Sequence, residues 1–290
     1  MELNFKKINS ITKIHKKTKV VNFSVKTNEN YFANGILTHN CYMKRHKPEG
    51  LDIATNTGDI LTEINNHAWF ATVEKPNQTH DEYITYDISC NEDFALHLKY
   101  HEWEKIFDFF KGHELAMGSF ATKYVNDELL SYNPEGKIRV RFSLMPGYYA
   151  SFLEPYTSSI YLRMKAINDF IEAGYDVHIN FSPVIVTKDW LHYYKELFEQ
   201  VNDLVKPEHK DKVKAEVIFL THNLNKHLYN LNNKLPGEEL LWNPSIQEDK
   251  VSEYGGLNLR YKHDLKAQYI KEWTKLHDDI IGWNTIRYIF

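Results

Sequence analysis

The sequence predicts an α/β protein built on a parallel sheet, and three observations carry that prediction. Short β-branched or aromatic segments recur between residues 83 and 221, longer helix-patterned segments alternate with them, and the spacing leaves room for crossover connections. Of the 290 residues, 42% are hydrophobic and 14% aromatic, which is enough for a packed core and argues against disorder.

The elements follow in order. Residues 19–25 (KVVNFSV) alternate and are β-branched, so they read as a strand. A turn around NENYFANG and a second short strand, ILTHN, bring the chain to Asn40. This all-β piece is too short to fold alone and needs a partner sheet. Residues 44–50 read as loop and 51–80 as mixed. Strands are then expected at 83–89, 119–124, 138–144, 177–186 and 215–221, with helices at about 93–111, 158–173, 188–204 and 262–281. Five strands fall short of the eight of a closed barrel. The expectation is therefore a partial barrel whose first strand is supplied elsewhere. No internal repeat or low-complexity tract stands out.

Composition narrows the setting. No apolar run approaches the roughly 18 residues of a membrane span, and the lysine-bearing N-terminus lacks the apolar stretch of a secretory signal. Two cysteines, Cys41 and Cys90, exclude a disulfide scaffold and point to a reducing cytoplasm. The formal net charge is −4, but residues 1–40 hold seven lysines against two glutamates, which makes them +5 and leaves −9 for the remainder. Such an arm reads either as a basic tail or as a segment that pairs with an acidic partner chain.

VVNFSVKTNENYFANGILTHNC, residues 20–41, resembles the last two sequence blocks of inteins, which end in His-Asn followed by Cys, Ser or Thr. Met1 stands about twenty residues before these blocks, as in the C-terminal fragments of split inteins. The resemblance implies roles for three neighbours. Cys41 is a thiol nucleophile that accepts an acyl group from an upstream thioester. Asn40 cyclises and releases the bond to Cys41, and His39 supplies protons at that carbonyl. The sequence departs from the usual pattern at Asn22, where many inteins have Asp, and at Glu29, where many have His.

The rest of the chain resembles spore photoproduct lyases, which are radical S-adenosylmethionine enzymes. Cys41–Met43 is similar to the end of that family's C-x3-C-x2-C-Y cluster motif. ISCNEDFALH at 88–97, FATKY at 120–124, KIRVRFSL at 137–144 and the long stretch 152–184 follow in the family's order, with VIFLTHNLNK and SEYGGLNLRYKHD looser. The resemblance implies a partial (β/α)6 TIM-like barrel lacking its first strand, preceded by the short all-β intein fragment. It implies S-adenosylmethionine and a [4Fe–4S] cluster as cofactors. It makes Cys41 a cluster ligand, Tyr42 a hydrogen-atom relay and Cys90 the hydrogen donor to a substrate radical. Lys123 and Ser143 would contact the cofactor's carboxylate and ribose, with His222 a weaker candidate. Each residue also has a plainer reading: a lone Cys after a strand is often a buried small hydrophobe, Lys123 a surface charge, Ser143 a strand polar residue, Tyr42 packing.

A cluster of this kind needs three thiolates together, whereas Cys90 lies 49 residues beyond Cys41. The other two cysteines are therefore expected on an N-terminal partner chain. The organisation that follows is a split-intein fragment at 1–40 and a radical enzyme's C-terminal part at 41–290. The expected product of splicing repairs thymine dimers in DNA, and no membrane is involved. The departures Asn91 and Glu253, and the −9 charge of the body, bear on substrate. Alternatives are a radical enzyme with another substrate, or a non-catalytic nucleic-acid-binding protein in which only splicing is active.

Overall fold

The computed structural model describes residues 56–70, 80–88, 92–251 and 257–290. The expectations for residues 1–40, for Cys41 and Tyr42, and for Cys90 lie outside the described residues.

Six parallel strands form the main sheet, a curled half-barrel. They are β1 (Ile84–Asp87), β2 (Ala116–Thr122), β3 (Ile138–Leu144), β4 (Asp176–Val184), β5 (Lys214–Phe219) and β9 (Thr285–Ile289), in the order β1-β2-β3-β4-β5-β9. A second, three-stranded antiparallel sheet has the order β6-β8-β7, from Thr221–Asn223, Leu257–Tyr261 and Gln247–Val251. The helices are α1 (Thr57–Phe70), α2 (Trp103–Gly112), α3 (Gly147–Leu153), α4 (Ile160–Glu172), α5 (Trp190–Leu204), α6 (Leu224–Asn232), α7 (Glu238–Leu241) and α8 (His263–Ile281).

The expectation of five strands is corrected to six among the described residues. The sixth, β9, comes from the C-terminal end and pairs with β5. Its five residues carry no strong local signal, and it is held by non-local bonds such as Phe290 N–H to the Val217 carbonyl at 2.8 Å. The strand expected at 215–221 divides: β5 ends at Phe219, Leu220 N–H donates to the Val184 carbonyl, and Thr221 begins the second sheet. β2 begins three residues earlier than expected because Ala116–Gly118 pair with β1. The mixed stretch 51–80 contains α1.

The helix expected from residue 93 starts only at Trp103. The Asp93 side chain accepts from Leu96 N–H and from the Thr122 hydroxyl at the end of β2, and Glu92 pairs with His97 and His101. Local side-chain contacts of this kind compete with helical hydrogen bonds. Once begun, α2 buries Trp103, Ile106, Phe107 and Phe110, one stripe at helical spacing. Each such side chain contributes about 1.5–3 kcal/mol by leaving water. The stripe approaches β2 so closely that a Cβ on Gly118 would lie 2.8 Å from Phe110 and 2.9 Å from Ile138 and Ile88.

Period-two alternation divides the two faces of the sheet. Phe142 on β3 meets Phe170 of α4, and Phe181 on β4 meets Phe198 of α5 and Trp273 of α8. That face is the apolar core. The alternate residues of β3, namely Arg139, Arg141 and Ser143, point the other way, yet they too are buried.

Candidate active site

The inner face carries an ionic lattice. Arg141 on β3 reaches Asp87 on β1 at 2.6 Å and Glu216 on β5 at 3.5 Å. Both partners lie two strands away in the sheet order, so the two contacts together require a concave surface. Glu216 also binds Arg287 at 2.9 Å and accepts from the Tyr288 hydroxyl at 2.9 Å, which ties β9 to β5. Alongside, Arg139 pairs with Asp176 at 2.6 Å, and His178 lies 3.2 Å from the same carboxylate. Burial pushes the Glu216 carboxyl up, but Arg141, His178 and Arg287 outweigh it and hold the group well below the usual carboxylate range. Asp176 behaves alike: burial raises it, while His178 and Arg139 prevail.

A different chemistry occupies the C-terminal end of β3. Ser143 and Asn180 are register partners on β3 and β4, exposed by 1% and 3%. Ser143 Oγ and Asn180 Oδ1 have no hydrogen-bond partner among the described residues. Leaving a buried polar group unsatisfied costs on the order of 1–3 kcal/mol. Two such atoms side by side are suited to receive a polar ligand.

Around them the strand ends are braced. Arg163 of α4 donates to the Ser143 carbonyl at 2.8 Å, to Glu154 at 2.7 Å and to Thr157 at 2.7 Å. The other Glu154 oxygen lies 2.5 Å from the Lys123 ammonium. Burial pushes the Glu154 carboxyl up, but Lys123 and Arg163 overcome this and hold it ionised. Asp93, three residues past Cys90, accepts from Lys123 N–H at 2.7 Å and lies 2.7 Å from the Thr122 hydroxyl. Burial raises the Asp93 carboxyl, against those two hydrogen bonds.

Lys123 and Ser143 therefore come together at one end of the sheet, as the sequence suggested for both. Their situations differ: the Ser143 hydroxyl has no partner among the described residues, whereas the Lys123 ammonium is engaged by Glu154. His222 lies in the second sheet, bound to Glu238 at 2.8 Å. The residues that sequence reasoning missed are Asn180, Glu154, Arg163 and Asp93. A signal existed for all four, since Glu154, Arg163 and Asn180 lie inside the 152–184 stretch and Asp93 inside the 88–97 segment.

No helix among the described residues is long and apolar enough to cross a membrane. Comparison with known proteins gives one family: the model of the spore photoproduct lyase family matches residues 15–289. That match begins within the segment read as an intein fragment, so its limits do not mark Asn40 as a boundary. Spore photoproduct lyase of Bacillus subtilis strain 168 is 26% identical over 194 residues, covering 64% of this chain and 54% of the relative. The Geobacillus enzyme is 27% identical over 169 residues, covering 56% and 47%. That of Clostridium acetobutylicum is 25% identical over 239 residues, covering 80% and 67%. The chain thus spans about half the length of the first two curated relatives. Among solved structures, a spore photoproduct lyase variant with dinucleoside spore photoproduct superposes with a TM-score of 0.74 at 20% identity, over 86% of this chain and 72% of that one. A variant with bound AdoMet and the same dinucleoside gives 0.71 at 20% identity, over 82% and 68%. These likenesses establish the fold.

Proposed function

The chain belongs to the spore photoproduct lyase family, and from that premise we propose that residues 41–290 are the C-terminal part of a radical S-adenosylmethionine enzyme that repairs a thymine photoproduct in DNA. We further propose that residues 1–40 are an intein C-terminal fragment joining Cys41 to another polypeptide. The observation that carries the enzymatic reading is the family match across every strand of the main sheet. The splicing reading rests on the order and spacing of residues 20–41.

The donor sets fit the two cofactors unequally. S-adenosylmethionine is polar, and Ser143 Oγ and Asn180 Oδ1 are buried acceptors, unpaired among the described residues, at the end of a parallel sheet where barrel sites collect. These two residues are proposed to hold it. The position of Lys123 matches a contact to the cofactor's carboxylate, but its ammonium already neutralises Glu154, so we assign it the bracing of that carboxylate. A [4Fe–4S] cluster requires three thiolates, and this chain has two cysteines 49 residues apart. It does not fit the chain by itself, and Cys41 is proposed as one ligand beside two from the partner. When complete, the cofactors supply the family's radical chemistry. Cys90 then gives a hydrogen atom from its weak S–H bond, and Tyr42 relays one.

On this chain the splicing chemistry uses Cys41, Asn40 and His39, and the partner chain supplies the thioester. The Cys41 thiolate attacks an upstream thioester carbonyl and expels the thiolate held there. The Asn40 side-chain nitrogen attacks its own carbonyl carbon, and the bond to the Cys41 nitrogen breaks, with His39 supplying the proton to the leaving amine. The freed amine takes the acyl group from sulfur and leaves a peptide bond.

Mixing the chain with an N-terminal partner tests both readings in one experiment. A ligated protein and a released peptide of about forty residues are expected. A native peptide bond to the partner is lost in both Asn40→Ala and Cys41→Ala, and release of the peptide is lost in Asn40→Ala. Ligation unchanged in both variants would remove the intein reading. The ligated Cys90→Ala variant is expected to cleave S-adenosylmethionine but not to restore thymines in photoproduct-bearing DNA. Full repair by that variant would remove Cys90 from its role.

A further inference from the structure

Away from the sheet ends, three side chains from three short elements converge. His222 of β6, His227 of α6 and Glu238 at the start of α7 each present a ligand atom, all within 4.8 Å of one another. His222 Nε2 and His227 Nδ1 lie 2.8 and 2.7 Å from the same carboxylate oxygen, Glu238 Oε1. Asn230 donates to the other oxygen, Oε2, at 2.6 Å and so turns Oε1 toward the imidazoles. Trp242 stacks on the His227 ring at 4.0 Å with an interplanar angle of 9°, which fixes that ring's orientation. His222 is fully buried and Glu238 nearly so, while the His227 side chain keeps 13% exposure and gives an approach from solvent.

We propose that His222, His227 and Glu238 form a mononuclear site for a divalent ion of the zinc class. Two imidazoles and one carboxylate are a donor set such ions favour, with a further position for water. The hard cations magnesium and calcium prefer all-oxygen shells. Ligand atoms around a tetrahedral zinc ion stand about 3.4 Å apart at metal–ligand distances near 2.1 Å. The carboxylate oxygen therefore needs to separate from each nitrogen by well under an ångström. Each imidazole would then carry its remaining proton on the nitrogen facing away from the ion, His222 on Nδ1 and His227 on Nε2. The structural need is plain as well: β6 has three residues and α7 four, and Gly237, at φ +77°, turns the chain into α7. An ion would tie both elements and α6 together.

The test uses the full chain with Cys41→Ser and Cys90→Ser, so that no thiolate competes, stripped with chelator and titrated with Zn(II) alone. One equivalent is expected to raise the unfolding midpoint, and Co(II) in its place should give a visible absorption of nitrogen–oxygen ligation. His227→Asn keeps an N–H donor toward Glu238 but is a poor zinc ligand. It should leave the metal-free midpoint in place while weakening zinc binding on the order of a hundredfold or more. Glu238→Gln, nearly isosteric, should weaken binding similarly and serves if the first variant does not fold. Zinc stabilisation of undiminished size in either variant overturns the proposal, as does a parent protein whose midpoint does not respond to Zn(II).

Discussion

Two levels of one concave surface treat buried polarity in opposite ways. Midway along the strands, Asp87, Arg141, Glu216 and Arg287 form alternating charges that clasp β1, β3, β5 and β9. Further along, Ser143 and Asn180 are themselves neutral, braced by the Lys123–Glu154–Arg163 ion pairs, and Ser143 Oγ and Asn180 Oδ1 have no hydrogen-bond partner among the described residues. Arg141 Nε has none either, but its guanidinium is held by Asp87 and Glu216 through its other nitrogens. In a low-dielectric interior, an ion pair holds geometry firmly because breaking it strands a charge, whereas a single neutral acceptor costs far less to leave open. The lower level therefore sets the curvature of the sheet, and the upper level is available for binding. The difference teaches where stability and recognition are expected to separate when single residues are changed.

The largest effect should come from the lattice. Arg141→Met deprives both Asp87 and Glu216 of their shared guanidinium and is expected to cost about 3–5 kcal/mol in urea unfolding. A loss of similar size from Ser143→Ala would erase the distinction between the levels.

Acid should act on the same level with intermediate strength. Glu216 and Asp176 are held below the ordinary carboxylate range in the folded protein. Groups depressed in this way contribute stability above their unfolded values, near pH 4, and that contribution drains away as pH falls from there. The urea midpoint is expected to drop on acidification below about pH 4.5, and Glu216→Gln should flatten that slope at the expense of stability near neutrality. Asp93 works in the opposite sense, since its carboxyl is raised and its contribution is lost as pH rises. A Glu216→Gln variant with the parent's acid slope would show that the lattice is not what titrates.

The smallest change in stability belongs to the upper level. Ser143→Ala removes a hydroxyl that has no partner among the described residues and should leave stability within about 1 kcal/mol of the parent. In the ligated protein the same change should weaken S-adenosylmethionine binding about tenfold, the loss of one modest hydrogen bond. Equilibrium binding measured beside urea unfolding separates the two outcomes.

Much of the framework was legible because it depends on short-range periodicity. The strand at 138–144 appears with the bounds expected of it, and α4, α5 and α8 lie within two residues of their expected limits, since apolar residues at helical or alternating spacing define each element locally. Lys123 and Ser143 were placed at strand ends for the same reason, and the structure has Lys123 directly after β2 and Ser143 next to last in β3, whereas His39, Asn40 and Cys41 lie outside the described residues. What the sequence left undecided is what depends on curvature and on distant pairing. Alternate residues of KIRVRFSL are charged or polar, yet both faces of the strand are buried because the sheet curls its charged side onto itself. Arg141 meets Asp87 across 54 residues, and Asn180 becomes Ser143's neighbour only through strand register. The order of elements is thus a property of the chain's local pattern. The lattice, the open acceptors beside it and the sixth strand exist only once the sheet has closed, because hydrogen bonds between strands, and not periodicity along them, decide which residues meet.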